Sequence, residues 1–210
     1  MSGVSASGTR VAGPDDLAPG AETLAAAFRE YPWTRHVIPD DDFDARLREL
    51  QHLYLGYAHE QGFVAVTPHR DGVLALVRPG ADAPAPSLIS RVVELHGDRV
   101  DRLDTAESPA GAWRLETLGV HPRSQGRGIA SELLRFALAE VARRGGGAVA
   151  LDTSDVRNVR LYERHGFRTT AHEPADGSPP VWRMTAHVVP ASSRHDGSAL
   201  GSVAPGGDLC

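Results

Sequence analysis

The stretch "HPRSQGRGIASELL", His121–Leu134, decides how the rest of the chain is interpreted. Two glycines, Gly126 and Gly128, flank an arginine, and apolar residues at helical spacing follow. The start of a helix presents unpaired N–H groups and the positive end of the helix dipole. Glycines let an anion approach the backbone closely. A strand followed by this turn and a helix therefore predicts a phosphate-binding site.

Other interpretations of the turn are weighed against this one. It is not a P-loop, because no Gly-Lys-Ser/Thr follows. A Rossmann site would use Asp152, at the end of the next strand, to bind a ribose. However, the third glycine position is Ser131, and further strand–helix repeats are missing. Two glycines also occur at helix starts that bind nothing, so the turn alone leaves a purely structural role open.

Composition narrows the class of protein. The 210 residues are 41% hydrophobic and 23% charged, as in a soluble globular protein. The formal net charge of −5 argues against a nucleic-acid or anionic-membrane surface. The start, "MSGVSASGTR", lacks the apolar core of a secretion signal, and the single cysteine, Cys210, fits a reducing compartment, so we expect a cytoplasmic protein. No set of His, Cys, Asp and Glu has metal-ligand spacing, and no metal is expected.

The chain is expected to form one domain over 9–190, between a disordered N-terminus at 1–8 and a disordered tail at 191–210. Helical and strand patterns alternate irregularly along it. This order predicts a mixed α/β fold. In this fold the helix after the glycine turn joins two parallel strands, "AWRLETLGV" and "GAVALDT".

A second motif, "NVRLYERHGF", runs from Asn158 to Phe167. The two motifs, in this order and at this distance, resemble the GNAT superfamily of acyl-CoA-dependent N-acetyltransferases. The superfamily pattern Arg/Gln-x-x-Gly-x-Gly/Ala is matched by Arg123 to Gly128. The stretches "TLAAAFREYPWTRH", "AWRLETLGVHP", "LYERHGF" and "WRMT" further resemble the puromycin N-acetyltransferases. That resemblance covers roughly residues 9–187 and is poor over 79–109. It implies a GNAT-type fold, with a central mixed β-sheet flanked by helices.

The resemblance implies that the turn holds the pyrophosphate of acetyl-CoA. The strand before the turn would hydrogen-bond the pantetheine arm as a neighbouring strand does, and an N–H near Leu118 would stabilise the developing oxyanion. Asn158 would contact the cofactor, although it could instead cap its helix. The implied cofactor-binding residues are Leu118, Gly119, Val120, Arg123, Ser124, Gln125, Gly126, Arg127, Gly128, Ile129, Ala130 and Asn158.

Two residues are candidates for proton transfer. Tyr162 occupies the family's position for the acid that protonates the departing thiolate, and a core aromatic is the alternative. Glu116, on the strand before the turn, alternates with Thr117 and is the candidate base. It could equally be a solvated carboxylate or bind the substrate ammonium.

Four further residues are candidates for the acceptor site. Tyr31 and Trp33 would form flat walls for an aromatic substrate, and His36 would line the same pocket. Asp152 could orient water or the acceptor. Core positions are the alternative for Tyr31, Trp33 and His36.

The function implied by the resemblance is acetyl-CoA-dependent acetylation of a primary amine on a small molecule, by direct transfer through a ternary complex. An aminonucleoside or related antibiotic is the expected acceptor, modified for resistance or biosynthetic tailoring. The expected assembly is a monomer or homodimer. Two alternatives stay open: an acyl-CoA-binding regulatory module without turnover, and a protein or peptide N-terminal acetyltransferase.

Overall fold

The computed structural model describes residues 8–103 and 109–191. Within them the chain forms seven strands and six α-helices, with short 3₁₀ turns at Pro14–Asp16, Gly97–Arg102 and Pro122–Ser124. The elements are, in chain order, β1 (Arg10–Val11), α1 (Leu17–Phe28), α2 (Pro32–Val37), α3 (Phe43–Gln61), β2 (Gly62–Val66), β3 (Gly72–Val77), α4 (Pro86–His96), β4 (Trp113–Val120), α5 (Ile129–Arg143), β5 (Gly147–Thr153), α6 (Val156–Glu163), β6 (Arg168–Glu173) and β7 (Val181–Val188).

The strands form one mixed sheet in the order β1-β2-β3-β4-β5-β7-β6. Neighbouring strands are antiparallel except β4 and β5, which are parallel and connected by α5. This confirms the predicted fold class and the predicted parallel pair. Two elements were not predicted, the two-residue strand β1 and the one-and-a-half-turn helix α2.

Helices cover both faces of the sheet. On one face α5 buries Leu133, Leu134 and Val141, whose spacing puts them on one side of the helix. On the other face α1 and α3 bury Leu24 and Leu55 against β2 and β3. None of the helices in the described part of the chain is long and apolar enough to cross a membrane.

The parallel strands β4 and β5 separate soon after they begin. Their pairing consists of Trp113 with Val149 and Arg114 with Ala150. Beyond these pairs, the described residues of β4 have no partner on β5, so the β5-facing edge of β4 is open over 115–120. Strand ends that separate at the carboxyl edge of a sheet are a common place for ligand binding.

A β-bulge lies in the middle of β4. Ala75 pairs with Thr117 and Leu76 pairs with Leu115, so Glu116 is the extra residue. Directly paired residues share a face of the sheet, and Thr117 therefore lies on the α1–α3 face with Ala75. The prediction that Glu116 and Thr117 alternate across the strand is wrong, because the bulge leaves both on that face.

Residues near both ends of the described chain form hydrogen bonds with the domain. Thr9 is held by α5, since its hydroxyl and its N–H both donate to Glu132. At the other end the N–H of Ala191 donates to the carbonyl oxygen of Ala142, at 2.9 Å. The first residue of the expected tail thus bonds to the domain. The remaining residues of both expected disordered segments, 1–7 and 192–210, lie outside the described residues.

Candidate active site

A cleft of about 610 Å³ opens at the carboxyl ends of β4 and β5, and we call it the glycine-turn cleft. Its walls come from the end of α1 and the loop after it, the end of β4, the glycine turn with the start of α5, and α6. The lining residues are Ala26, Ala27, Phe28, Glu30, Tyr31, Pro32, Leu118, Gly119, Val120, Pro122, Ser124, Gln125, Gly126, Gly128, Ile129, Ala130, Ser131, Asp155, Arg157, Asn158, Leu161, Tyr162 and Arg164.

The glycine turn is held in shape by its own side chains. Gly126 and Gly128 adopt φ values of 76° and 82°, in the left-handed region that favours glycine. The side-chain amide of Gln125 donates to the carbonyl oxygen of Val120 at 3.0 Å. Nδ1 of His121 accepts from the N–H of Arg123 at 3.2 Å. The turn therefore presents the N-terminus of α5, whose first N–H groups have no partner within the helix, to the cleft.

Helix α1 forms the opposite wall because Gly119 lets it approach β4. A Cβ at Gly119 would lie 2.7 Å from Cδ2 of Leu24 and 3.1 Å from Cβ of Ala27. Phe28, at the end of α1, packs edge-on against Tyr31 with ring centroids 5.4 Å apart. Gly119, which the resemblance implies as a cofactor contact, therefore also has a packing role.

Tyr31 ties the loop after α1 to the end of β5. Its hydroxyl accepts from the N–H of Ser154 at 2.6 Å and lies 3.0 Å from Oγ1 of Thr153. The side-chain amide of Asn158 donates to the same Thr153 oxygen, at 3.4 Å. The cap of α6 is Asp155, whose carboxylate accepts from the N–H of Arg157 at 2.8 Å. The capping role considered for Asn158 is therefore wrong.

Tyr162 is a buried residue in the lining of the glycine-turn cleft. The residue is only 6% exposed, and its ring packs edge-on against Phe167 with centroids 5.6 Å apart. Burial, together with the nearby Tyr31, raises the pKa of Tyr162 above its ordinary value of 10.0. The phenol therefore keeps its proton at neutral pH.

A smaller cleft of about 170 Å³, the Glu116 cleft, is formed by β4, β5 and β7 with the residues that flank them. The guanidinium of Arg114 forms an ion pair with the carboxylate of Glu116, and Nη2 and Oε2 lie 2.9 Å apart. Burial raises the pKa of Glu116, Arg114 opposes this shift, and nearby Asp152 adds to it. The lining residues are Pro109, Arg114, Leu115, Glu116, Ala150, Leu151, Asp152, Thr170, Arg183, Met184 and Thr185.

Thr117 lies on β4 between the segments that line the two clefts. It is 9% exposed, and within 8–103 and 109–191 its hydroxyl oxygen is buried without a hydrogen-bond partner. Buried hydroxyls are usually hydrogen-bonded. An orphaned one beside an open strand edge is available to a bound ligand.

The structure does not bring every predicted residue to a cleft. Arg123 and Arg127 are exposed and outside the lining of the glycine-turn cleft. Trp33 and His36, with ring centroids 5.7 Å apart, line neither described cleft. Trp33 packs against the apolar cluster between α2, α3 and α4, and burial with two nearby arginines lowers the pKa of His36. The expected aromatic acceptor pocket is therefore not assembled as predicted, because α2 directs Trp33 toward this cluster.

Asp152 lines the Glu116 cleft, not the glycine-turn cleft, so the ribose-binding role of a Rossmann site does not apply. Sequence reasoning missed two arginines of the glycine-turn cleft, Arg157 and Arg164. They are seven positions apart, which is two helical turns, and this spacing could have indicated a shared side of α6. No group of three or more potential metal ligands occurs in the described part of the chain.

Comparison with known proteins agrees with this architecture. Residues 91–169 match the family model of the acetyltransferase (GNAT) domain. A Corynebacterium glutamicum protein, described as histone acetyltransferase HPA2 and related acetyltransferase, is 25% identical to this chain. Its structure aligns with a TM-score of 0.70 over 89% of this chain and 98% of that one.

Two more distant structures share the fold. The mosquito arylalkylamine N-acetyltransferase like 5b is 19% identical, with a TM-score of 0.53 over 85% of this chain and 98% of that one. A GNAT family acetyltransferase from Brucella melitensis, solved with acetyl-CoA, is 17% identical, with a TM-score of 0.50 over 88% of this chain and 90% of that one. The chain has the GNAT fold, its residues 91–169 match the model of the GNAT acetyltransferase domain, and it is an enzyme of the N-acetyltransferase type.

Proposed function

We propose that this protein transfers the acetyl group of acetyl-CoA directly to a primary amine of a small molecule, within a ternary complex. One observation carries the proposal. The open edge of β4 leads into a glycine turn at the start of α5, and both lie in one cleft with a buried tyrosine. The Brucella melitensis protein of the same fold binds acetyl-CoA.

The residues of the glycine-turn cleft fit this donor. The N–H groups at the start of α5 suit a pyrophosphate, and Arg157 and Arg164 add positive charge to the lining. The open edge of β4 over 118–120 suits the amide groups of a pantetheine arm. Asn158 lines the same cleft, and its side-chain amide donates to Thr153.

Acetyl-CoA supplies an acetyl group activated as a thioester. Tyr162 would hold a proton for the sulfur that departs, since its raised pKa keeps the phenol protonated. The orphaned hydroxyl of Thr117, next to Leu118, would hydrogen-bond to the donor.

Glu116 would accept the proton of the acceptor amine. It lies on the bulge of β4, 21% exposed in its side chain, and its raised pKa makes the carboxylate a stronger base. Asp152, in the same cleft, would attract the ammonium form of the amine before deprotonation. The acid and the base would then act from separate clefts on either side of Thr117.

The proposal that the acceptor is an aminonucleoside, and that the enzyme acts in antibiotic resistance, rests only on the resemblance to the puromycin N-acetyltransferases. The aromatic walls expected for it, Tyr31 and Trp33, are absent from the Glu116 cleft. Clefts that hold drug-sized ligands measure about 300–1,000 Å³, and this cleft is smaller. A smaller acceptor suits it better. A cytoplasmic location stays part of the same proposal.

The test is thiol release from acetyl-CoA with a panel of amines: free amino acids, polyamines, aminonucleosides and short peptides. We expect acetylated product, identified by mass spectrometry, with at least one small amine. Glu116→Gln should lower kcat about 10²-fold or more, whereas Glu60→Gln, at an exposed position of α3, should not. Acetyl-CoA binding without transfer to any amine would indicate a binding module. Transfer to peptides alone would indicate an N-terminal acetyltransferase.

A further inference from the structure

The Glu116 cleft is lined by equal numbers of positively and negatively charged side chains. Its ionic side chains are two arginines and two carboxylates, Arg114, Arg183, Glu116 and Asp152. Arg114 and Glu116 are 2.9 Å apart, with side chains 54% and 21% exposed. An exposed guanidinium in such a pair can exchange its partner at little cost. We propose that Arg114 and Glu116 together select an acceptor that carries a carboxylate beside its amine, namely a small α-amino acid. This proposal rests on the proposed function.

The position of the amine follows from the chemistry. To lose its proton to Glu116, the acceptor nitrogen must come within hydrogen-bond distance of that carboxylate. The guanidinium of Arg114 then lies directly beside the acceptor, since it contacts Glu116. Arginine binds carboxylates through two parallel N–H bonds and repels ammonium groups. A carboxylate next to the amine is therefore favoured, and a second amine, as in a polyamine, is disfavoured.

The short distance within the pair sets the spacing in the ligand. Groups complementary to two side chains 2.9 Å apart must themselves be adjacent. In an α-amino acid a single carbon separates the nitrogen from the carboxylate, whereas in γ-aminobutyrate three carbons do. Thr185, which lines the same cleft, offers its hydroxyl to the remaining oxygens of a carboxylate, whereas the hydroxyl of Thr170 donates to the carbonyl oxygen of Arg183. The small volume of the cleft favours amino acids with short side chains.

The same contact links recognition to basicity. Arg114 lowers the pKa of Glu116 by its charge and by its hydrogen bond. When the acceptor's carboxylate pairs with the guanidinium of Arg114, Arg114 lowers the pKa of Glu116 less than before. Glu116 is then a stronger base than in the protein without acceptor. An amine without a carboxylate leaves Arg114 on Glu116. Arg114 thus acts as a positioning and specificity residue rather than as the base.

The first test compares matched acceptors on the whole chain. Glycine, alanine and serine are assayed against their carboxamides and against γ-aminobutyrate. We expect kcat/KM to be about 10-fold or more higher for each amino acid than for its carboxamide, as for loss of a charge-assisted hydrogen bond. We expect γ-aminobutyrate to resemble the carboxamides. Equal rates for the amino acids and their carboxamides would overturn the inference.

The second test removes the guanidinium. Arg114→Gln should raise KM for alanine about 10-fold or more and change KM for alaninamide little. The kcat–pH profile of the wild type should also differ between the two acceptors, with the acidic limb for alanine at higher pH. Arg160→Gln, on the exposed side of α6, is the matched control. Undiminished discrimination in a folded Arg114→Gln variant would contradict the proposal.

Failure of this inference can be told apart from failure of the proposed function. Calorimetry with acetyl-CoA tests the function, and calorimetry with alanine in the presence of CoA tests the inference. Acetyl-CoA binding without alanine binding overturns the inference alone. Absence of acetyl-CoA binding overturns both.

Discussion

At the residue scale, removing the hydroxyl of Tyr162 distinguishes a role in catalysis from a role in packing. Tyr162→Phe leaves the ring against Phe167 and removes only the proton donor. We expect kcat to fall about 10²-fold or more, the usual scale for general acid catalysis, while acetyl-CoA affinity is kept. Steady-state kinetics and calorimetry measure the two quantities.

Tyr57→Phe is the matched control for this variant. Its hydroxyl donates to the carbonyl oxygen of Asp82, away from the glycine-turn cleft. It should lose little activity. A Tyr162→Phe enzyme with wild-type kcat, where chemistry limits the rate, would leave the tyrosine with packing alone.

A second prediction at this scale concerns the orphaned hydroxyl of Thr117. Thr117→Val replaces a buried, unpartnered hydroxyl by a methyl group, so the free energy of unfolding should stay the same or rise. Thr23→Val, by contrast, removes a 2.6 Å bond to the carbonyl oxygen of Arg70, and we expect a loss of about 1 kcal/mol.

The activity of Thr117→Val tests whether the Thr117 hydroxyl hydrogen-bonds to acetyl-CoA. If it does, Thr117→Val raises KM for acetyl-CoA or lowers kcat although the protein is at least as stable. Denaturant titration and kinetics on the same preparations decide this. A variant that is both fully active and fully stable would remove Thr117 from the site.

At the element scale, His96 joins three helices. At the end of α4, its Nδ1 lies 2.8 Å from the carbonyl oxygen of Val37, at the end of α2, and its Nε2 lies 3.3 Å from the hydroxyl of Tyr54 on α3. Burial lowers the pKa of His96 below its ordinary value of 6.5. The unfolded chain therefore binds a proton at a higher pH than the folded chain does.

This difference sets the direction of the pH dependence. The stability contributed by neutral His96 is present above the unfolded pKa and is lost as the pH falls from about 6.5 toward the lower folded pKa. His96→Gln should therefore show a smaller loss of stability between about pH 7.5 and pH 5.5 than the wild type. His187→Gln, at an exposed position of β7, should keep the wild-type slope. Denaturant midpoints across this range measure the effect, and equal slopes in all three proteins would contradict it.

The elements also show what sequence patterns can predict. Helix α5 and strands β4 and β5 have strong local patterns, and the glycine turn between them follows from two positions that need positive φ. The bulge at Glu116 could not be predicted, because it depends on the register between β4 and β3, which are about 40 residues apart in the chain. The place of Trp33 was likewise missed, since it depends on tertiary packing of the short helix α2.

At the scale of the whole molecule, the domain should not need residues beyond Ala191. Segment 192–210 has no apolar periodicity to bury. A chain that ends at Ala191 keeps the backbone bond to Ala142, and we expect its Tm to lie within a few degrees of the full chain, with full activity. A large loss of either, measured by thermal unfolding and thiol release, would mean that the removed segment packs on the domain. Replacing Cys210 by serine should have no effect on the rate.

Calorimetric titration of acetyl-CoA into the wild type and two matched glycine variants tests most directly whether the glycine turn binds the acetyl donor. Gly126→Asp puts a negative charge in the glycine turn. Gly177→Asp puts the same residue in a loop at a similar φ, 72° against 76°, and at neither glycine would a Cβ meet an atom within 4 Å. We predict that the wild type and Gly177→Asp bind acetyl-CoA alike, and that Gly126→Asp binds at least about 10-fold more weakly because like charges repel. Equal affinity in all three proteins would contradict the claim that this turn holds the donor.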